Sequence, residues 1–384
     1  MKRKLLIINC STHQWPHMPV GTNGISFLLK KNQVKHTVLS YHNQNRRETY
    51  EVLRSLIRSG YDVILLFHWK EQIKTFFELS RYIKYFKNKN SVLCAAGMSA
   101  GFFYKQILLD ENLPDLVFIG DSEKSIIDFS KNIPIEKISN IAYIDKKNKK
   151  IIKTKSQDHS MDTKTFSNIT YTYFENIYNK SNYINFIFCN TCFYINLSRG
   201  CDKKCLYCGG SIIAFKHCSG RNHSVYRNIN SVINDIVYLF KKNKNIFKNN
   251  PVPIFIDDFF DNYILVLKKL SDINLSPMIN IVINERGLLD KEKLIKNISV
   301  FYSFNKVSFE VSPETELDYQ RKKLMPDNTR NMYKNEYLIK LICFLREHNF
   351  YCSVYYTMFN SFDTKNDILN RLNFIREMKF KYED

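Results

Sequence analysis

The chain has 384 residues, of which 44% are apolar and 24% are charged, proportions that are ordinary for a globular protein. These values exclude a disordered tail protein, a collagen-like repeat and a coiled-coil rod. No apolar run approaches the roughly 18 residues that span a bilayer, and the apolar stretch after the basic start MKRK is too short for a signal peptide. We therefore expect a soluble, cytoplasmic protein of two or three domains without a membrane partner.

The net charge of the chain is +20, from 57 Lys and Arg residues against 37 Asp and Glu residues. Such a charge attracts polyanions over long range. The basic residues are, however, spread through Lys/Asn-rich turns such as residues 241–250, with no Arg-rich block. This distribution favours a solvated basic surface over a nucleic-acid interface.

Residues 1–138 alternate short apolar runs with amphipathic stretches. Strands are predicted at Lys4–Asn9, Val34–Ser40, Asp62–His68, Ser91–Gly97 and Leu116–Gly120. Helices are predicted at Gly24–Lys31, Thr49–Ser59, Glu71–Phe86, around Phe102–Leu109 and from Ser122. Near-continuous apolar strands separated by helices indicate an α/β, Rossmann-like, doubly wound parallel sheet. Its ligand is expected at the carboxyl ends of the strands.

Residues 139–190 read as a linker that contains a β-hairpin at its start and an irregular connector from residue 155. Residues 191–384 then alternate strands and helices again, the pattern of a partial (β/α) barrel. The strands are predicted at Phe193–Leu197, Pro253–Asp257, Met278–Asn284, Lys306–Val311 and Ser353–Met358. The helices are predicted at Ile229–Lys241, Ile264–Ile273, Asp290–Asn297, Thr329–Glu347 and Asp367–Met378. Catalytic residues of such a barrel lie at the carboxyl ends of its strands.

Six of the ten cysteines fall between residues 189 and 218. Cysteines of a cytosolic chain are reduced, so a tight cluster indicates metal binding or catalysis rather than disulfides. Cys201, Cys205 and Cys208 directly follow the first predicted barrel strand with the spacing C-x₃-C-x₂-C. Three thiolates are too few for a closed four-cysteine zinc site, but they suit an iron–sulfur cubane with one iron left open. The alternative is a structural zinc loop completed by Cys192, His217 or Cys218.

This cysteine spacing, with Tyr207 before the third cysteine, resembles the hallmark C-x₃-C-x-aromatic-C of the radical S-adenosylmethionine (SAM) superfamily. The resemblance implies that Cys201, Cys205 and Cys208 bind a [4Fe–4S] cluster whose open iron is chelated by SAM. It also implies a set of residues near SAM: Tyr207, Gly209, Gly210, Asp257, Glu310 and Ser312. Asn284, Glu285 and Arg286 end the third barrel strand, and the sequence leaves their role open.

The first domain resembles the cobalamin-binding Rossmann-like domain that precedes many radical SAM barrels, through the segments FHWKEQ, AAGMSAGFF and IGDSEKSIIDF. The D-x-H-x-x-G signature of histidine-ligated cobalamin is absent, so we expect cobalamin to bind without that histidine. The residues expected to contact cobalamin are His68, Trp69, Gly97, Ser99 and Gly120. The alternative is a domain that has kept this fold and lost the ligand.

The resemblance implies a cobalamin-dependent radical SAM enzyme. Such an enzyme cleaves SAM reductively to a 5′-deoxyadenosyl radical, abstracts hydrogen from an unactivated carbon of a small molecule and, in the commoner outcome, methylates that carbon. An electron donor such as flavodoxin or ferredoxin is implied as a partner. The sequence stops at Asp384 after five βα units of a six-unit pattern, so we expect an incomplete barrel. Either the chain is a truncated gene product, or a second chain completes the barrel. The alternatives are an RNA-modifying radical SAM enzyme and a degenerate, non-catalytic cofactor-binding protein.

Overall fold

The computed structural model describes residues 2–10, 20–40, 46–67, 73–145, 147–155, 163–325, 334–357 and 363–382. The chain divides into two compact units, the first formed by Met1–Tyr194 and Ala214–Lys248, and the second by Ile195–Ile213 and Asn249–Asp384. The boundaries predicted at residues 138 and 191 lie where the pattern of predicted strands and helices changes. The division into two units instead reflects which segments pack together. None of the helices in the described ranges combines the length and the hydrophobicity that crossing a lipid bilayer requires.

The first unit is built on a seven-stranded sheet in the order β2-β1-β3-β4-β5-β6-β7. Its strands are β1 (Leu5–Asn9), β2 (His36–Ser40), β3 (Val63–Phe67), β4 (Val92–Ala96), β5 (Leu116–Phe118), β6 (Ile141–Asp145) and β7 (Lys150–Lys153). β1 to β5 run parallel, and the β6–β7 hairpin adds to β5 in antiparallel fashion. The predicted parallel sheet is confirmed, and the β6–β7 hairpin extends it. The strand order reverses between β1 and β3, the usual ligand position in doubly wound folds.

Helices cover the sheet because their apolar residues recur at helical spacing; Leu53, Phe76 and Leu79, for example, are fully buried in the core of this unit. The helices of this part of the chain are α1 (Val20–Lys31), α2 (Arg46–Arg58), α3 (Ile73–Phe86), α4 (Met98–Phe102), α5 (Tyr104–Leu109), α6 (Glu123–Ser130), α7 (Thr163–Ser167), α8 (Lys180–Asn190), α9 (Ile212–Ser219) and α10 (Ile229–Lys242). The two-residue strands β8 (Phe193–Tyr194) and β10 (Val225–Tyr226) belong to the first unit, and the two-residue strand β9 (Ser198–Arg199) belongs to the second.

The segment predicted as an irregular connector packs into the first unit. Phe166 and Tyr171 are fully buried. The Tyr171 backbone N–H donates to the Asp235 carboxylate at 3.1 Å, and Asp235 pairs with Arg227 at 3.0 Å with both side chains buried. Burying a charge is costly unless it is paired, and this buried pair explains how α10 and the connector share one interior.

The second unit contains a parallel sheet in the order β14-β13-β12-β11. Its strands are β11 (Val252–Asp258), β12 (Ile279–Glu285), β13 (Lys306–Glu314) and β14 (Tyr351–Tyr356). Its helices are α11 (Phe260–Asp272), α12 (Lys291–Lys296), α13 (Ile298–Tyr302), α14 (Asp318–Leu324), α15 (Asn335–Glu347) and α16 (Lys365–Tyr382). The predicted βα alternation is confirmed, and the Ile195 N–H donates to the Phe255 carbonyl at 2.9 Å beside β11.

Two glycines of α1 differ in what surrounds them, which gives a matched test of the first unit. A Cβ at Gly24 would lie 2.6 Å from a ring carbon of buried Tyr171, whereas a Cβ at Gly21 meets no atom of the described residues within 4 Å. We expect Gly24→Ala to lower the free energy of unfolding by about 1–3 kcal/mol through overpacking. Gly21→Ala should leave it unchanged or slightly higher, because alanine favours helix. Urea unfolding of both variants measures this, and equal effects would contradict the close packing of α1 on Tyr171.

Candidate cysteine-loop site

The three motif cysteines lie on one loop, residues 200–211, which we call the cysteine loop. It follows β9 and ends where α9 begins. Turns inside the loop are closed by hydrogen bonds from the Cys208 N–H to the Cys205 carbonyl at 3.3 Å and from the Ser211 N–H to the Cys208 carbonyl at 3.1 Å. The Leu206 N–H also donates to the Leu324 carbonyl at 2.9 Å, which ties the loop to the end of α14. The backbone of the loop is therefore held both by its own turns and by a contact with α14.

The thiols are partly withdrawn from solvent and close enough to influence one another. Cys201 and Cys205 are half-buried, and Cys208 is exposed. Burial, followed by repulsion from Cys208, raises the pKa of Cys205 to about 11, and burial raises the pKa of Cys201. Holding Cys201 and Cys205 as thiolates at neutral pH is therefore unfavourable unless a bound cation compensates the charge. Among the described residues, no group of three or more His, Cys, Asp or Glu side chains has the arrangement of a metal site, so the ligand set stays a prediction.

Donor groups around the sulfurs fit an anionic cluster. The Gly210 N–H donates to Cys208 Sγ at 3.3 Å, and the Lys203 backbone N–H donates to Cys201. Hydrogen bonds to sulfur stabilise negative charge and tune cluster potentials. A Cβ at Gly210 would lie 3.5 Å from Cys208 Sγ, an ordinary contact, so its N–H group rather than its lack of a side chain serves the sulfur. The loop thus has the donor chemistry that a cluster with three thiolate ligands needs.

Tyr207, the aromatic residue of the motif, lies between the loop and the end of β13. Its hydroxyl is within hydrogen-bonding reach of Cys205 and Glu314. Burial and the charge of Glu314 raise the pKa of Tyr207 far above its usual range, so it stays protonated. Glu314 also accepts a hydrogen bond from Thr357 Oγ1 at 2.7 Å and has a φ of +67°, which non-glycine residues adopt rarely and often at functional sites.

Sequence reasoning missed Glu314 because it ended the fourth barrel strand at Val311. In the structure β13 continues through Pro313, with a register irregularity between Val311 and Glu314. Glu310, Ser312 and Glu314 alternate with buried neighbours on one face of β13. Extending that alternation by one step was the signal that would have found Glu314.

Two predicted SAM-contacting residues lie in one row across the sheet. The register aligns Asp257 with Asn284, Asn284 with Glu310 and Glu310 with Ser353. Glu310 accepts hydrogen bonds from Tyr355 at 3.1 Å and from Asn284 at 3.4 Å, and burial raises its pKa. The half-buried faces of the strands therefore present a row of polar side chains, as expected for strand ends that bind a ligand. The predicted contacts of Gly209, Ser312 and the row with SAM stay predictions.

Asp257 also forms an ion pair with Arg286, a residue whose role the sequence left open. The Arg286 guanidinium contacts both carboxylate oxygens of Asp257, with Nε–Oδ1 at 2.6 Å and Nη2–Oδ2 at 3.2 Å. Its Nη1 donates to Ser198 Oγ and to the Gly200 carbonyl, both at 3.0 Å. Arg286 therefore links the polar row to the start of the cysteine loop.

Three of the predicted cobalamin-contacting residues lie near the carboxyl ends of β4 and β5. Gly97 and Gly120 are half-buried and have φ values of +104° and +66°, a backbone conformation that favours glycine. Ser99 is buried in α4. A Cβ at Gly101 would lie 3.1 Å from Cys218 Sγ, so part of this edge is filled by α9.

The other two, His68 and Trp69, lie outside the described residues. Next to Gly120, Asp121 pairs with buried Arg221 at 3.0 Å. The assignment of the edge at Gly97 and Gly120 to cobalamin stays a prediction.

Comparison with known proteins identifies the fold. No protein-family model matches the chain, and no curated protein matches its sequence. Two solved structures of TsrM, a radical SAM methyltransferase from Kitasatospora setae, superpose on it with a TM-score of 0.75. The structure with tryptophan substrate and the SAM analogue aza-SAM is 11% identical and is matched over 98% of this chain and 71% of that chain. The structure with cobalamin and a [4Fe–4S] cluster is 10% identical and is matched over 99% of this chain and 74% of that chain.

At this level of identity the likeness establishes the fold alone. The chain has the mixed α/β fold, dominated by parallel sheets, of a radical SAM methyltransferase structure. The α/β fold class expected from the sequence is confirmed, while the arrangement of the two predicted domains stays a prediction.

A buried carboxyl group beside Arg286 makes stability depend on pH. Glu285 is 5% exposed, and burial raises its pKa to about 8. A folded-state pKa above the unfolded value of 4.5 means that the folded chain binds the extra proton, so this contribution to stability is lost as pH rises from about 4.5 through 8. Glu285→Gln removes the titration. We expect its Tm relative to the parent chain to increase by at least about 2 °C between pH 5 and pH 9.

Thermal unfolding followed by circular dichroism across that pH range measures the difference. Glu51→Gln, at a side chain that is 68% exposed, is the control and should show no such trend. A Tm difference for Glu285→Gln that does not vary with pH would show that Glu285 is not a protonated, buried acid in the folded protein.

Proposed function

We propose that the chain is a cobalamin-dependent radical SAM enzyme that methylates a small molecule. The observation that carries the proposal is the cysteine loop, where three thiols with C-x₃-C-x₂-C spacing lie beside the strand ends of a parallel sheet. Two of them, Cys201 and Cys208, accept backbone N–H groups at sulfur. The fold shared with structures of a radical SAM methyltransferase supports it.

In this proposal Cys201, Cys205 and Cys208 hold the [4Fe–4S] cluster and leave one iron free for SAM. A bound cluster would supply one electron for reductive cleavage of SAM, and bound cobalamin would supply a methyl group. The protein's part is to hold the cofactors, to orient them and to exclude water. The half-buried position of Cys201 and Cys205 serves the last of these, because partial burial limits access of solvent and oxidants to the metal.

The polar row across β11, β12 and β13 supplies hydrogen-bonding groups for SAM. Asp257 and Glu310 are acceptors that suit an ammonium group or ribose hydroxyls. Asn284 and Tyr355 hold Glu310 in one orientation, which lowers the entropy lost when a ligand binds. Ser312 lies one step further along the same face of β13.

Two partners belong to the proposal. A small electron-transfer protein of the flavodoxin or ferredoxin type would reduce the cluster. A second chain would pair with β14, the outer strand of the described sheet, on which Tyr351 and Tyr355 are 59% and 43% exposed.

Replacing any motif cysteine tests the cluster. After anaerobic reconstitution with iron and sulfide, we expect the parent chain to hold about four irons and to give, once reduced with dithionite, an electron paramagnetic resonance signal that changes on adding SAM. Cys201→Ala, Cys205→Ala and Cys208→Ala should lose most of the iron because two thiolates do not hold the cluster. Cys343→Ala, outside the motif on α15, is the matched control and should keep it.

Zinc instead of iron in the parent chain, or a cluster signal indifferent to SAM, would overturn the radical SAM assignment. Absorbance titration with hydroxocobalamin tests the first unit separately, and no binding would remove cobalamin from the proposal.

The polar row predicts a loss of SAM affinity without loss of the cluster. Glu310→Gln removes the charge and one acceptor from the row, and we expect SAM to bind about tenfold more weakly, equivalent to roughly 1.4 kcal/mol. Iron content should remain that of the parent chain because Glu310 does not contact the cysteine loop in the hydrogen bonds described for it. Equilibrium dialysis with labelled SAM measures the affinity, with exposed Glu336→Gln as the control. Unchanged affinity in Glu310→Gln would exclude the row from the SAM site.

A further inference from the structure

Arg286 joins three segments of the second unit that are far apart in sequence. It lies directly after β12, its side chain is 15% exposed, and its forked pairing with Asp257 fixes the plane of the guanidinium. The remaining nitrogen, Nη1, points at Ser198 Oγ and at the Gly200 carbonyl. One side chain thus binds the end of β11, the short strand β9 and the first residue of the cysteine loop.

The contact with Gly200 bears directly on Cys201. The peptide bond that joins Gly200 to Cys201 is planar, so a hydrogen bond that fixes the Gly200 carbonyl also fixes the backbone nitrogen of Cys201. Gly200 has a φ of +86°, a conformation that side-chain-bearing residues rarely adopt, and this turn brings the chain from β9 into the loop. The orientation of the first thiol therefore depends on a carbonyl that Arg286 holds.

The partners of Arg286 are themselves held rigidly. Ser198 Oγ donates to Asp258 Oδ2 at 2.5 Å, and both side chains are buried. Asp258 Oδ1 accepts from the Phe259 N–H and from Asn262 Nδ2, each at 2.7 Å. The network runs from the first turn of α11 through two adjacent carboxylates to the loop, and a network whose members are all bonded has little freedom to shift.

We propose that Arg286 is a positioning residue for the cluster: its guanidinium holds the Gly200–Cys201 peptide so that the first thiolate meets the same metal centre as Cys205 and Cys208. This inference rests on the proposed function, because it assumes that the three cysteines bind one cluster. A lysine would not replace Arg286. Its ammonium is a single charge centre and does not bind a carboxylate in forked fashion while donating to two further oxygens in the same plane.

Three variants separate geometry from charge. Arg286→Gln removes both, and Arg286→Lys keeps the charge but not the fork. Lys293→Gln removes one positive charge from the same unit at an exposed ion pair with Asp261, and it is the matched control. Circular dichroism and Tm establish that each variant is folded, and Arg286→Lys carries the test if Arg286→Gln does not fold.

The first readout needs no metal. Hydrogen–deuterium exchange in the metal-free protein should be several-fold faster for the amides of residues 200–205 in Arg286→Gln and Arg286→Lys, and unchanged in Lys293→Gln. The second readout is iron retention against a chelator after anaerobic reconstitution, where loss of a supporting contact costs about 10- to 100-fold in metal affinity. We expect the affinity for iron to fall by that factor in both Arg286 variants.

The outcomes distinguish this inference from the proposed function. If the parent chain assembles the cluster and Arg286→Lys matches it in exchange and in iron retention, Arg286 is not a positioning residue. If the parent chain assembles no cluster while loop exchange still responds to Arg286, the proposed function fails and the positioning of the loop by Arg286 stands without it.

Discussion

Charges placed at the carboxyl ends of buried parallel strands must find partners, and the second unit is organised around that requirement. Parallel strands of a βα repeat end side by side, so polar residues that follow them are brought together and partly withdrawn from water. Asp257 and Arg286 meet this requirement by pairing with each other, and the pair in turn holds the Gly200 carbonyl. The cysteine loop starts from a residue fixed by an ion pair between two strand ends.

The same requirement applies after β13, where a buried arginine of α16 pairs with carboxylates near the end of the strand. Arg371 of α16 is fully buried and pairs with Glu316 at 2.8 Å and with Asp363 at 2.9 Å. It also donates to the Thr357 carbonyl at 2.8 Å, and Thr357 bonds Glu314 through its hydroxyl. Because Glu314 has an unfavourable backbone conformation, this support is what keeps its carboxyl group beside Tyr207.

Sequence alone predicted those features that depend on local pattern. Near-continuous apolar runs predicted β1 to β5, and the predicted barrel strands from Pro253 to Val311 end within three residues of the observed ones. The cysteine spacing and the aromatic Tyr207 located the candidate site. Arg286 and Glu314 could not be assigned in the same way, because their partners are set by strand register and by a strand that continues past a proline.

The packing of the connector could not be derived from the sequence for a related reason. It depends on the Arg227–Asp235 pair, whose members come from α10 and the segment before it.

The raised pKa values of the thiols give the contacts that fix the cysteine loop a chemical role. Half-buried cysteines with raised pKa values are neutral at physiological pH, and converting them to thiolates is unfavourable until a cation compensates the charge. Backbone N–H groups at Cys201 and Cys208 offset part of that cost, and they do so only if the loop keeps its turns. In the proposed function, the loop is ordered by Arg286 at one end and by Leu324 and Glu314 further along before any metal binds. This order would lower the free energy needed to gather three negative sulfurs on one metal centre.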